Sequence, residues 1–193
     1  DNLNLDNIVF FNTTSRSDEK NTITFNAISE NGKKITVQYI LKNDSYLIES
    51  KILLNDYFLG NESILLTWVN ILKHQENNST NEKNQTRINF FNADGDFDYT
   101  SATSTDKEEI KIEEKLKWIS NKQQFFSSAI LSNNTFNNSK LTSEYIEDVN
   151  LNKKFTIKTE IPIENNSITY QYYFGPNKYS ILKNIENEFH NNL

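Results

Sequence analysis

The chain has 193 residues with 20 basic and 26 acidic side chains, and 12% aromatics, which is enough length and apolar mass for a core without staples. It has no Cys, no Met, four Gly and two Pro, which excludes a disulfide framework, a thiolate metal site and a thiol nucleophile, and neither GxGxxG nor a GxxxxGK phosphate loop occurs. A net charge of −6 with Arg only at positions 16 and 87 argues against nucleic-acid binding, which needs clustered cations.

Period-2 alternation dominates the chain, and residues i, i+2, i+4 of a strand share a face. Ile23, Phe25 and Ala27 alternate, and so do Ile35, Val37 and Tyr39, with Asn31-Gly32 between them as a hairpin turn. Tyr46 to Leu54 reads as another strand. Leu65 to Leu72 is a dense apolar run around Trp68. Residues 73–86 (KHQENNSTNEKNQT) read as a polar loop, and Arg87 to Phe91 as strand. NKQQFFSSAIL (121–131) fits either a strand with Phe126 inward or a helical turn. The polar tract 132–143 reads as a loop by composition. Phe155, Ile157, Thr159 and Ile161 alternate, as do Ile168, Tyr170, Tyr172 and Phe174, joined by Glu164-Asn165-Asn166. After Gly175-Pro176 the period changes. Tyr179, Leu182, Ile185 and Phe189 make a helical stripe, and Pro176 sits where it could start that helix. The pattern predicts one all-β sandwich over 1–193, closed by an amphipathic helix over 177–190.

Candidate sites are few. Asp94, Asp96 and Asp98 in NADGDFDY open like a calcium loop. Position 12 of that loop is Thr105 where a Glu is wanted, so a solvated turn is the better reading. His74 and His190 have no partner visible in sequence, as an acid–base histidine requires. The sequons at Asn12, Asn61 and Asn165 are discounted as products of an Asn-rich composition. The charged run from Asp106 to Lys115 reads as a solvated strand face or edge, with a docking surface for a basic partner as the alternative. Trp118, Phe125, Phe126, Tyr170, Tyr172, Tyr173 and Phe174 read as core first and as a ligand groove second.

LKWISNKQQFFSSAIL (116–131) resembles a signature of the YidC membrane insertase family: Trp118, then Gln123, Gln124, Phe125 and Phe126, then small residues before an apolar tail. YYFGPNKYSILKNIE (172–186) is similar to the family's aromatic strand, Gly175-Pro176 and following helix, and LLTWVNIL and NADGDFDY fall in a compatible order. The resemblance spans roughly 60–193. It implies the periplasmic domain between the first two membrane helices of an insertase, Bacteroidetes-like. The implied fold is mainly β, a galactose mutarotase-like β-supersandwich with a C-terminal amphipathic α-helix leading toward a membrane span.

The resemblance further implies a non-catalytic domain without cofactor or metal, on the periplasmic side of the inner membrane. It would assist insertion and folding of nascent membrane proteins, alone or with Sec translocon components of the SecDF type. Trp118, Gln123, Gln124, Phe125, Phe126, Gly175 and Pro176 are then family-motif residues with a structural role. Tyr179, Leu182, Ile185 and Phe189 are the packing face of the last helix, docked on the sandwich. A chain without Met that starts at Asp1 is expected to be a piece of a longer protein, with apolar spans before and after it. The rival reading is a carbohydrate-binding or mutarotase-like protein on the same fold, but fold alone does not fix function.

Overall fold

The computed structural model describes residues 4–30, 32–55, 63–148 and 150–190, without the side chains of Asp6 and residues 186–190. The alternation read from the sequence becomes a mainly β chain in which the registered strand pairs are antiparallel. Among the described residues helix is limited to a 3-10 turn at Leu5–Asn7, to α1 (Ser79–Gln85) and to α2 (Tyr179–His190). The chain divides into two compact units, Asp1–Glu62 with Ile163–Tyr172, and Ser63–Pro162 with Tyr173–Leu193.

The first unit is built on a meander of β1 (Phe11–Arg16), β2 (Lys20–Ile28), β3 (Lys34–Lys42) and β4 (Leu47–Asn55). Its register aligns Ala27 with Ile35 and Ile35 with Leu54, all three buried, so the alternation on neighbouring strands falls on one face. The β2–β3 turn is closed by Ser29 N–H to Lys33 O and Gly32 N–H to Ser29 O. Gly32 holds φ +81°, which a side chain would strain; Asn31 lies outside the described residues. The turn at 164–167 puts Asn165 and Asn166 at φ +50° and +58°, the mirror-image hairpin geometry that Asn tolerates best after Gly.

The second unit contains β5 (Ser63–Lys73), α1, β6 (Arg87–Asn92), β7 (Phe97–Tyr99), β8 (Glu108–Ile112), β9 (Leu116–Lys122), β10 (Phe126–Tyr145) and β11 (Leu151–Pro162). β10 is 20 residues long and serves two sheets. Its first half pairs with β9 in the order β10-β9-β6-β7, and its second half lies in the order β8-β10-β11-β5. Between them its register slips, and Thr135 and Asn138 adopt positive φ. Such irregularities are how a strand turns from one layer to another. The two inner faces meet in a core of Ile88, Ile119 and Ile130 from the first sheet and Leu141, Phe155 and Ile157 from the second, with Phe136 at the bend.

Four details depart from the sequence reading. The tract 132–143 is strand because it is paired on both sides, by β8 and β11, and Ser139 and Ser143 are buried on the same face as Leu141. The segment 121–131 resolves into the end of β9, a turn, and the start of β10, and Phe126 is 56% exposed rather than inward. The stretch 73–86 holds α1, capped by Asn78, whose Oδ1 accepts from Asn81 N–H at 2.9 Å. In β12 (Ser167–Pro176) the alternation changes phase between Tyr172 and Tyr173, where the chain passes from one unit to the other; Tyr173 is buried and Phe174 exposed.

Candidate functional site

The outer face of the β6-β9-β10 sheet is assembled by register. Arg87 lies across from Lys122, and Lys122 from Ser127. Two residues further along, Tyr99, Asn89, Ser120 and Ala129 form a second row. Two further again, Phe97, Phe91, Trp118 and Leu131 form a third. The floor therefore runs from cationic, through small and polar, to aromatic over roughly 13 Å, two residues of strand per row. Phe91 and Trp118 stack at 5.8 Å with their planes 8° apart, and Phe97 leans on Trp118 at 6.0 Å. This floor, apart from Arg87 and Tyr99, which stand beyond its edge, lines a cavity of about 440 Å³ whose other wall includes Tyr179, Leu182, Lys183 and Ile185 of α2.

The helix wall is only partly packed. Tyr179 is 75% and Leu182 38% exposed, and Ile185 is half-buried, so the stripe faces the cavity without filling it. The side chain of Phe189 lies outside the described residues. What fixes the start of the helix is Asn177. Its Nδ2 donates to Gln123 O at 2.8 Å and to Gln124 O and Phe126 O at 3.3 Å, and its N–H donates to Phe125 O at 2.7 Å. Its Oδ1 accepts from Ser127 Oγ. One residue thereby ties the chain entering α2 to the β9–β10 turn. Pro176 does not open the helix: it ends β12, and its carbonyl accepts from the Tyr173 hydroxyl at 2.7 Å.

The floor carries unneutralised charge. Among the described residues no carboxylate lies within 4 Å of Arg87 or Lys122. Burial, and then the Arg87 charge, push the Lys122 ammonium below its ordinary range. Arg87 stacks over the Tyr99 ring at 3.8 Å, while its Nε is buried without a hydrogen-bond partner. Asn89 is 8% exposed, and its Oδ1 is likewise buried and unpartnered.

The sequence-marked residues fall into three groups. Trp118 sits in the aromatic row. Gln123, Gln124, Phe125 and Phe126 make the turn that Asn177 holds, with Phe125 and Phe126 more than half exposed and off the cavity wall, and Gly175 and Pro176 end β12. The two motif blocks, 50 residues apart in sequence, thus meet in space. Tyr170 and Tyr172 belong to the first unit, their hydroxyls 3.3 Å apart, and burial raises the Tyr172 hydroxyl above its ordinary range.

His74 does find a carboxylate. Glu82, 1% exposed, lies 3.0 Å from its Nδ1. The same carboxylate accepts from Gln75 N–H at 3.0 and 3.1 Å and from Glu76 N–H at 3.4 Å, so it closes the loop onto α1 and does not face the cavity. The Asp94–Asp98 stretch is the solvated β6–β7 turn, with Gly95 at φ +104° and Asp96 N–H donating to Asn92 Oδ1 at 2.7 Å.

Comparison with known proteins decides the family. The model of the YidC periplasmic domain matches residues 5–193. The chain belongs to the YidC periplasmic domain family. Proteins named membrane protein insertase YidC are similar to it throughout: 28% identity over 92% of this chain in Azobacteroides pseudotrichonymphae, 27% over 90% in Parabacteroides distasonis, and 25% over 96% in Cytophaga hutchinsonii. The chain spans 29%, 28% and 32% of the length of those three relatives. No helix among the described residues is long and apolar enough to cross a membrane.

Sequence reasoning missed Asn177, Arg87, Lys122 and Asn89. The last three share one strand phase with Phe91 and Trp118, so alternation places them on a common face. The cross-strand register that brings them into rows is not written in any single strand. Asn177 lay within the quoted motif, next to the Gly-Pro that drew attention instead.

Proposed function

We propose that this chain is the periplasmic domain of an inner-membrane insertase and assists insertion and folding of membrane proteins, alone or with Sec translocon components of the SecDF type. It works by holding partners rather than by chemistry. The observation that carries this is the family match over residues 5–193. The names of the similar proteins support membrane-protein insertion as the work of the parent. The cavity supports a holding role: it is apolar and aromatic at one end, and among the described residues its walls bear no histidine and no carboxylate to act as an acid–base pair. α2, with its stripe toward the cavity, then leads toward a membrane helix of the parent.

The test is an insertion assay in cells depleted of their own insertase and supplied with the full-length parent, with or without residues 1–193. Slower insertion of a protease-accessible reporter, and loss of SecDF-type proteins from the co-purified material, are expected on deletion. Unchanged insertion and unchanged co-purification would defeat the proposal.

The aromatic floor also suits a sugar ring, which stacks on such faces. Mutarotation would need a histidine and a carboxylate across that ring, and the one such pair described, His74 with Glu82, lies off the cavity with its carboxylate occupied. Saturable quenching of Trp118 by a monosaccharide, with mutarotation, would favour that reading instead.

A further inference from the structure

The cavity floor is unusual in its charge. The chain carries more acidic than basic residues, yet among the described residues the cavity walls include Lys117, Lys122 and Lys183 and no carboxylate. At one end Lys122 lines the cavity and Arg87, just beyond its edge, lies across from it on β6, with no carboxylate within 4 Å of either among the described residues. Two like charges on adjacent strands, partly out of water, repel and destabilise each other unless something negative joins them.

A second observation selects the kind of ligand. Asn89, between the cationic and aromatic rows, holds a buried amide oxygen with no donor. An acyl chain brings no donor to that row, whereas a peptide backbone brings an N–H at each residue. The third row, Phe91, Trp118 and Phe97, offers stacked aromatic surface for an apolar side chain. Rows are two residues apart along the strands. An extended peptide running parallel to them would therefore place like-facing side chains over successive rows.

We propose that this groove binds an extended peptide segment bearing a carboxylate and, four residues away, an aromatic or branched apolar side chain. The carboxylate sits between Arg87 and Lys122, a backbone N–H donates to Asn89 Oδ1, and the apolar side chain lies against Trp118. The inference goes beyond the proposed function. Only the origin of the segment, a client of the insertase, rests on that reading.

The probe is a capped, fluorescently labelled heptapeptide with one glutamate and one phenylalanine four positions apart, and alanine and serine elsewhere. Its binding to the 193-residue chain is followed by anisotropy. Saturable binding is expected, weakened by salt, and weaker by about tenfold or more when glutamine replaces the glutamate. The pair of substitutions Arg87→Gln and Lys122→Gln should cost the glutamate peptide a similar factor and leave the glutamine peptide nearly unchanged. Moving the two side chains next to each other should also weaken binding.

Equal binding of the glutamate and glutamine peptides would overturn the proposal, and that comparison needs no folded variant. Binding of dodecanoate with no binding of any peptide would overturn it in favour of a lipid, and absence of binding by either would overturn it outright. None of these outcomes touches the insertion assay, which tests the parent in cells, so failure of one reading is separable from failure of the other.

Discussion

The β6-β9-β10 sheet has two faces made by the same three strands, and they differ in kind. The inner face presents Ile88, Phe90, Ile119 and Ile130, buried and apolar, with the amide of Asn121 buried across from Ile88. The outer face presents Arg87, Asn89, Phe91, Trp118, Ser120 and Lys122, a gradient from cation to aromatic. Both satisfy the same alternation. A face that only has to exclude water converges on branched aliphatics, because they fill volume in few rotamers. A face that sets two cations side by side, with no carboxylate within 4 Å of either among the described residues, is not arranged for stability alone. The difference sets the face that packs the core apart from the face proposed to hold a ligand.

The sharpest way to break that contrast is to truncate one residue on each face of β9. Ile119→Ala removes a fully buried side chain from the core, and about 2–5 kcal/mol of stability should be lost, read from the urea midpoint at unchanged slope. Trp118→Ala on the other face should cost less, since its neighbours line an open cavity, but should abolish peptide binding. If the two variants lose equal stability, the outer face is core and the contrast falls.

Next in size is Asn177→Ala. It removes the hydrogen bonds that join the β9–β10 turn to the approach of α2, leaving the turn carbonyls to find other donors. A loss of about 1–3 kcal/mol is expected, with faster amide exchange concentrated at 178–185 and in the 123–126 turn. Exchange spread evenly over the second unit would show instead that α2 is not fixed by this residue.

The strands, most of their phase and the final helix were legible because burial on one side imposes period 2, and a half-packed helix imposes 3.6, on any sequence. The charged run 106–115 was also read well: β8 pairs only with β10 among the described residues, and Lys140 meets Glu109 across that edge. What failed has one physical cause. Ser139 and Ser143 on β10 are polar yet buried, the Ser139 hydroxyl bonding to Thr159 at 2.7 Å, so composition suggested a loop where tertiary pairing makes a strand. The phase change at Tyr172–Tyr173 was invisible for the same reason: which face is inward depends on the unit a residue joins. The motif residues Trp118 and Gln123 to Phe126 were found in sequence, but the groove itself depends on three inter-strand registers, which single-strand patterns do not carry.

A buried cation on β11, in the facing sheet, answers the comparison from the other side. Lys153 stands in line with Phe155 and Ile157 on β11, 1% exposed, and its Nζ donates to Ser101 O and Ala102 O at 3.3 and 2.7 Å. Burial lowers it from its ordinary 10.5 to about 8, opposed by the nearby charge of Glu108. Between those two values the unfolded chain holds a proton that the folded one has released. Folding stability should therefore rise as the pH goes from about 8 toward 10.5, by the linkage of proton uptake to unfolding. Lys153→Met should remove that rise, as measured by urea unfolding across the interval. A rise that persists in the variant would assign it to another group.

Arg87→Gln should have the smallest effect on stability and the most pointed one on charge. Removing the guanidinium takes away a repulsion with Lys122, along with its stacking on Tyr99, and these oppose each other, so the net change should stay within about 0.5 kcal/mol. The Lys122 ammonium, now lowered by burial alone, should titrate at higher pH than in the unaltered chain, as followed by the chemical shift of its Cε. Added salt should stabilise the unaltered chain slightly more than the variant, because only the former has a like-charge pair to screen. An unchanged Lys122 titration would mean that the two cations do not share a site. The glutamate peptide, binding between them, should raise the Lys122 titration in the unaltered chain, since a carboxylate brought alongside favours the protonated amine. That shift would be absent with the glutamine peptide, which separates recognition of the anion from simple filling of the groove.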